Sequence, residues 1–233
     1  MKEKLHSLYT IPRWERISFL VHGFGTRHWG ETDFKRHPRL KDFRLLFLCQ
    51  IHSDIIHVID EIPEKKMAGD AMVTEQPGLL LIIKTADCLP MLVFDTEKKA
   101  VAAVHCGWKN TSQRLIQKVI RGLEKNFGCD SADLQIAMGP CIGKDCYEVG
   151  VDVRQEFESN GLSLEVFHPH PFHKGKYSLS LRRANRLQLL DMGISESNIC
   201  AVGLCTHCED DLLSYRRDKK TTDRMLSFIG LSF

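Results

Sequence analysis

The sequence predicts an α+β fold built on mixed β-sheet, and three observations carry that prediction. Short runs rich in Leu, Ile and Val, bounded by Gly, Pro or charge, read as strands, and nine of them stand against three helical patterns. Strands and helices do not alternate strictly, as a doubly wound fold would require. No low-complexity linker, internal repeat or charge block divides the chain, so residues 1–233 are expected to form a single domain.

In chain order the expected strands are Ile17–Phe19, Phe43–Cys49, Ile55–Ile59, Ala71–Val73, Leu79–Lys84, Met91–Phe94, Ala100–Val104, Leu134–Met138 and Ile199–Gly203. A first helix is expected from about Ser112 to Asn126, capped by Asn110 or Thr111 and stopped at Gly128. Its apolar residues Leu115, Ile116, Val119, Ile120, Leu123 and Phe127 follow helical spacing. A second helix covers Val151–Ser159. A third starts after Ser178 or Ser180 and stops at Gly193.

Composition narrows the function. A net charge of +2 is too small to argue for nucleic acid or an anionic membrane surface. No apolar run reaches the roughly 20 residues that span a bilayer. The start of the chain lacks the apolar core of a signal peptide, so a cytoplasmic location is expected. Nine cysteines, an odd number without a secretion signal, fit thiols, metal ligation or catalysis better than a disulfide framework.

The most informative stretch is the pair of apolar runs joined by Thr96-Glu97-Lys98-Lys99, a good hairpin signal. Pairing outward from this turn sets Asp95 opposite Ala100, Met91 opposite Val104 and Pro90 opposite His105. Cys88 then lies at the same end of the sheet as His105, and neighbouring strands run about 4.8 Å apart. A thiolate and an imidazole so placed can share a metal or a proton. His52, just past the run Leu45–Leu48, is the best third ligand. Two histidines, one cysteine and one open position are the pattern of catalytic zinc, whose bound water ionises near pH 7. Asp87, beside Cys88, is a candidate to orient a ligand histidine or accept a proton. After His105 the chain makes a glycine turn into a helix, where Lys109 and free N–H groups near Asn110 would suit an anion.

These motifs carry a resemblance. Gln50-Ile51-His52, Gly69-Asp70-Ala71-Met72-Val73-Thr74, Thr85-Ala86-Asp87-Cys88-Leu89-Pro90 and His105-Cys106-Gly107-Trp108-Lys109 occur in order. Gly139-Pro140-Cys141-Ile142-Gly143, Tyr147-Glu148-Val149-Gly150, Cys205-Thr206 and Ser214-Tyr215-Arg216-Arg217 follow. Together they resemble the laccase-domain family, also called polyphenol oxidase-like or multicopper oxidase-like, regarded as purine nucleoside phosphorylases. The resemblance implies mixed sheets with helices packed on the outside and zinc (Zn2+) held at His52, Cys88 and His105. It also implies phosphorolysis of adenosine, inosine, guanosine and methylthioadenosine, with adenosine deaminase activity in the same site. Purine nucleosides and phosphate are then the partners, and Arg27, Lys109, Asn110 and Arg216 the candidates to hold them. The chain departs from the family pattern at Cys106, Lys109 and Asn110, which stand where Ala, Arg and Gly are usual, and at Ser53 in place of Gly. A lysine presents a point charge where arginine presents a fork.

Four other readings compete. Cys88 with His105 as its base would make a cysteine hydrolase or deamidase. A multicopper oxidase needs many His-x-His pairs, whereas the eleven histidines here supply only His168-Pro169-His170, with His173 nearby. A cytidine-type deaminase would use His207-Cys208-Glu209 and Pro140-Cys141, but their order is reversed. Cys205-Thr206-His207-Cys208 would be half of a structural zinc site in a binding module, its other half drawn from Cys200 or from Cys141 and Cys146. No second Cys-x-x-Cys exists, which favours idle thiols there.

Overall fold

Runs such as Leu79–Ile83 are apolar at every position because both faces of their strands are covered. The computed structural model describes residues 8–219 and 221–233. Its strands are β1 (Leu8–Tyr9), β2 (Leu20–Gly25), β3 (Arg44–Phe47), β4 (Ile56–Val58), β5 (Ala71–Thr74), β6 (Leu79–Thr85) and β7 (Leu89–Asp95). Then come β8 (Val101–Cys106), β9 (Leu134–Met138), β10 (Glu148–Gly150), β11 (Phe167–Pro169), β12 (Lys176–Leu179), β13 (Ile199–Ala201) and β14 (Met225–Leu231). The helices are α1 (Pro12–Glu15), α2 (Glu31–Arg36), α3 (Trp108–Ser112), α4 (Leu115–Phe127), α5 (Val151–Ser159) and α6 (Leu181–Asp191).

Two mixed sheets dominate, one in the order β1-β2-β14-β6-β3 and one in the order β13-β9-β7-β8-β5-β4. They face each other across a core that contains Phe24, Leu81, Ile83 and Ile229 from the first and Met72, Leu92, Phe94 and Ala103 from the second. The alternate residues of the same strands point the other way, as the two-residue period of a strand requires. Met91, Val93, Ala102 and Val104 meet Leu115, Val119, Ile120 and Leu123 of α4. On the far side Val21, Leu80, Ile82 and Phe228 meet Phe34 of α2 and Trp29. The resulting layers are helix, sheet, sheet, helix, an α+β arrangement. A small antiparallel sheet, β10-β12-β11, stands beside them. Among the described residues no helix is long and apolar enough to cross a membrane.

The hairpin pairs as the turn predicts, with Pro90 opposite His105 and Met91 opposite Val104. The expected first helix is instead two. α3 starts after Gly107, not at Asn110 or Thr111, and the chain breaks at Arg114, whose φ is +59°. The Arg114 guanidinium donates to the carbonyls of Asn160 and Gly161 at 2.8–3.2 Å, tying the start of α4 to the end of α5. Gly128 closes α4 in the left-handed region, as expected.

The first expected strand, Ile17–Phe19, lies in a turn, and the strand begins at Leu20. Gly23 and Gly25 sit inside β2, where neighbours come too close for a side chain. A Cβ on Gly23 would lie 2.6 Å from Leu8 and 2.8 Å from Phe228. Gly230 plays the same part in β14, where a Cβ would lie 2.4 Å from the Leu79 carbonyl.

His22 on β2 is buried, with its Nε2 accepting the Ile11 N–H at 2.8 Å and its ring edge-on to Trp14. Burial pushes its pKa down to about 4. The folded chain thus keeps the ring neutral where the unfolded chain protonates it. Its contribution is complete above pH 6.5 and is lost as pH falls toward 4. His22→Gln, which retains an acceptor, is expected to remove this loss. Chemical denaturation at pH 7 and pH 5 should show wild type losing about 2 kcal/mol more than the variant. Equal losses would show that the ring titrates normally.

Candidate metal centre and its cavity

Cys88 sits in the bend between β6 and β7, and His105 is the last residue but one of β8. The hairpin register delivers both to one end of the sheet. His52 arrives from the loop after β3, in a left-handed conformation with φ +56°. Its Nε2 lies 3.9 Å from the Cys88 Sγ, and its ring centroid lies 4.8 Å from that of His105. One donor atom from each of the three falls within 4.8 Å of the other two. Nitrogen and sulfur ligands on a tetrahedral zinc lie about 3.6 Å apart, from bond lengths near 2.05 and 2.3 Å. The observed donor spacing fits one ion of that kind. Gly107 makes the close packing possible, because a Cβ there would lie 3.0 Å from the sulfur and 3.1 Å from His52.

One carboxylate organises the set. Asp70, fully buried before β5, accepts from the Nδ1 of His105 at 2.8 Å. The same carboxylate accepts the backbone N–H groups of Ile51, His52 and Ser53 at 2.6–3.3 Å and the Ser53 hydroxyl at 2.8 Å. It therefore fixes the His52 loop and leaves Nε2 of His105 to face Cys88. Gln50 pins the other side of the loop, exchanging two 2.8 Å hydrogen bonds with the backbone of Lys84.

The charges respond to this arrangement. Burial opposes ionisation of Cys88, but the charge on His105 and hydrogen bonds from both imidazoles outweigh it, bringing the thiol down to about 6. Burial likewise opposes a charged His105, but the Cys88 thiolate and Asp70 hold it up to about 9. Asp70 is itself buried, yet hydrogen bonds from His105 and Ser53 keep it well below the usual carboxylate range. Both shifts favour the thiolate–imidazolium form of the pair.

A cavity of about 610 Å³ opens over the three donors. Trp108, Tyr147 and Tyr215 supply aromatic walls, and Lys66, Lys84, Arg216 and Arg224 supply positive charge. A volume of this size suits a small organic ligand.

Of the residues singled out in the sequence, His52, Cys88, His105, Asp87 and Arg216 line this cavity. Asp87 does not orient a histidine; that part falls to Asp70. The Asp87 carboxylate instead accepts from the Thr206 hydroxyl at 2.6 Å and the Arg216 N–H at 2.7 Å, anchoring the segment that carries Tyr215 and Arg216. Asn110 is buried away from the cavity. Its Oδ1 accepts the Gly107 N–H and its Nδ2 donates to the Ser53 carbonyl, so neither end is left for an anion. Lys109 is exposed on α3, outside the cavity lining. Arg27 lines a neighbouring cavity, 3.5 Å from Asp218, beside Arg224. Sequence reasoning missed Asp70 and Gln50 as positioning residues, although both lie inside motifs that it singled out.

Metal binding to this set requires His105 to give up its proton. Between pH 7 and 9 the apparent Zn2+ affinity should therefore rise about tenfold per pH unit, as a competition titration against a chromophoric chelator would read. A flat profile would show that His105 enters the site already neutral. Asp70→Asn should cost roughly 10–100-fold in affinity, and Asp87→Asn should change it little. Equal losses would return the orienting role to Asp87.

Comparison with known proteins places the chain in a family. The family model described as multi-copper polyphenol oxidoreductase laccase matches residues 32–232. A purine nucleoside phosphorylase from Bacteroides thetaiotaomicron is 35% identical over 161 residues, 69% of this chain. The match spans only 60% of that relative's own length. Adenosine deaminase RL5, from an unknown prokaryotic organism, is 34% identical over 169 residues, 69% of this chain and 64% of that one. The crystal structure of the hypothetical protein YfiH from Bacillus licheniformis superposes with a TM-score of 0.87 at 27% identity, covering 98% of this chain and 97% of that one. The chain belongs to the laccase-domain family.

Proposed function

We propose that this protein is a zinc-dependent purine nucleoside phosphorylase acting on adenosine, inosine, guanosine and methylthioadenosine, and that the same site deaminates adenosine. The observation that carries the reading is one cavity that joins a His-His-Cys donor set to aromatic walls and four cationic side chains. A purine nucleoside needs flat apolar surfaces, and its co-substrate phosphate needs positive charge. The names of the relatives, purine nucleoside phosphorylase and adenosine deaminase, point the same way.

When bound at His52, Cys88 and His105, zinc supplies Lewis acidity and activates water near neutral pH. In phosphorolysis a phosphate oxygen bonds to C1′ of the ribose while the bond from C1′ to N9 breaks, and the purine leaves with the electron pair and takes up a proton. In deamination, water adds at C6 of adenine and ammonia departs. For both, the walls Trp108, Tyr147 and Tyr215 would orient the base. Arg216 is held ready, its guanidinium 5.4 Å from the Tyr147 ring and donating to the Glu148 carbonyl at 3.0 Å. With Lys66, Lys84 and Arg224 it forms the candidate phosphate-binding group, in place of Arg27, Lys109 and Asn110. Asp87 positions Arg216 by its backbone bond and faces the cavity beside Cys88.

Copper in place of zinc is disfavoured by the donors. A blue-copper arrangement of two histidines and a cysteine adds a weak axial methionine, and among the described residues no methionine lines this cavity. A second reading has one observation in its favour. Asp70, His105 and Cys88 form a carboxylate–imidazole–thiolate chain, the arrangement of an activated cysteine nucleophile.

The deciding experiment is incubation with adenosine and with inosine, each with and without phosphate, before and after zinc removal. The expected products are ribose 1-phosphate and free base with phosphate, and inosine from adenosine. Both activities should vanish on chelation and return with Zn2+. Turnover that survives chelation but dies on thiol alkylation would establish the cysteine-nucleophile reading instead. Arg216→Ala is expected to raise KM for phosphate roughly 10–100-fold, the range of one charge-assisted hydrogen bond, with deamination much less affected. An unchanged KM would place the phosphate elsewhere.

A further inference from the structure

Three cysteines that the proposed reaction does not use come together on the wall behind the cavity. Cys205 and Cys208 form a tight Cys-x-x-Cys turn, closed by a hydrogen bond from the Cys208 N–H to the Cys205 carbonyl at 3.1 Å. Cys146 reaches them from the turn before β10, its Sγ 3.5 Å from that of Cys208. All three sulfurs lie within 4.8 Å of one another. No pair is at the ~2.05 Å of a disulfide, and a disulfide would leave the third thiol unexplained. Sulfurs sharing a tetrahedral zinc lie about 3.8 Å apart, from a bond length near 2.3 Å. The Gly143 N–H donates to the Cys205 sulfur at 3.1 Å, a contact that stabilises a thiolate. Glycine suits this position, since a Cβ there would itself lie 3.1 Å from the sulfur.

We propose that Cys146, Cys205 and Cys208 form a second, thiolate-only site for a thiophilic divalent cation such as Zn2+, separate from the cavity centre. The sequence offered Cys200, or Cys141 and Cys146, as the other half of such a site and favoured idle thiols; of these the structure brings Cys146 to the pair. Cys208 is exposed and the other two half-buried, so the fourth position opens to solvent. The ion would cross-link the two segments that shape the cavity wall. Tyr147, which lines the cavity, follows Cys146 directly. Thr206, between the other two ligands, holds the Asp87 carboxylate. The Arg217 guanidinium already braces this loop through the carbonyls of Thr206, His207 and Glu209 at 3.0–3.2 Å. The site's role is thus to fasten the cavity wall.

Cobalt titration of the reduced Cys88→Ser protein isolates this site, because the only sulfur of the cavity centre is gone. The expected result is one Co2+ bound with strong thiolate-to-cobalt charge-transfer absorption, displaced stoichiometrically by Zn2+. Adding Cys146→Ser or Cys208→Ser should abolish most of that absorption and weaken binding at least about a hundredfold. Should Cys88→Ser fail to fold, metal content of the otherwise native chain gives the same test, falling by one zinc in Cys208→Ser while the cavity zinc remains. The proposal is overturned if the Cys88→Ser protein shows no charge-transfer absorption. It is equally overturned if Zn2+ fails to protect the three thiols from alkylation, or if zinc content is the same in Cys208→Ser as in the native chain.

Discussion

The buried carboxylate of Asp70 is the constraint on which the site depends. It accepts from three consecutive backbone N–H groups, one hydroxyl and one imidazole. A fully buried charge is costly unless it is paired and hydrogen-bonded, and these five partners provide both. In return the loop carrying His52 has one conformation, including a left-handed histidine that would otherwise be strained. His105 has one ring orientation, with its second nitrogen directed to Cys88. Ligand geometry is thereby set before any ion arrives, which is the usual office of a partner standing behind the ligands.

The rest of the fold serves to hold that carboxylate and the sulfur at fixed separation. β5, β7 and β8 are neighbours in a sheet covered on both faces, so the ends that carry Asp70, Cys88 and His105 move together. The opposite wall is built from segments distant in sequence and tied back by polar contacts. Asp87 is the link, with its backbone in the left-handed region beside Cys88 and its carboxylate on Thr206 and the Arg216 backbone. Asp70, Cys88 and His105 stand at or next to strand ends, while His52, Lys66 and Arg216 stand on loops tied down by polar contacts.

Much of this was legible in the sequence where the physics is local. The turn Thr96–Lys99 fixed the hairpin register, and the register alone brings Cys88 to His105. The third donor, His52, rested on its place after an apolar run and on the family resemblance. Asp70 was not legible, because an acidic residue after glycine gives no sign that five donors will gather round it from another part of the chain. Asn110 and Lys109 misled for a related reason. A helix start after His105 is an anion site only if its N–H groups are free, and the Asn110 side chain turns back on Gly107. β2 and β14 were not among the expected strands, and both carry glycines where a Cβ would come within 3 Å of a neighbour.

The central claim is that His52, Cys88 and His105 close on a single zinc ion. Crystals of the active enzyme, with diffraction recorded on both sides of the zinc absorption edge, test it most directly. An anomalous peak within about 2.3 Å of the Cys88 sulfur and about 2.1 Å of one nitrogen of each histidine is the predicted result. Crystals of fully active protein with no such peak between the three side chains would contradict it.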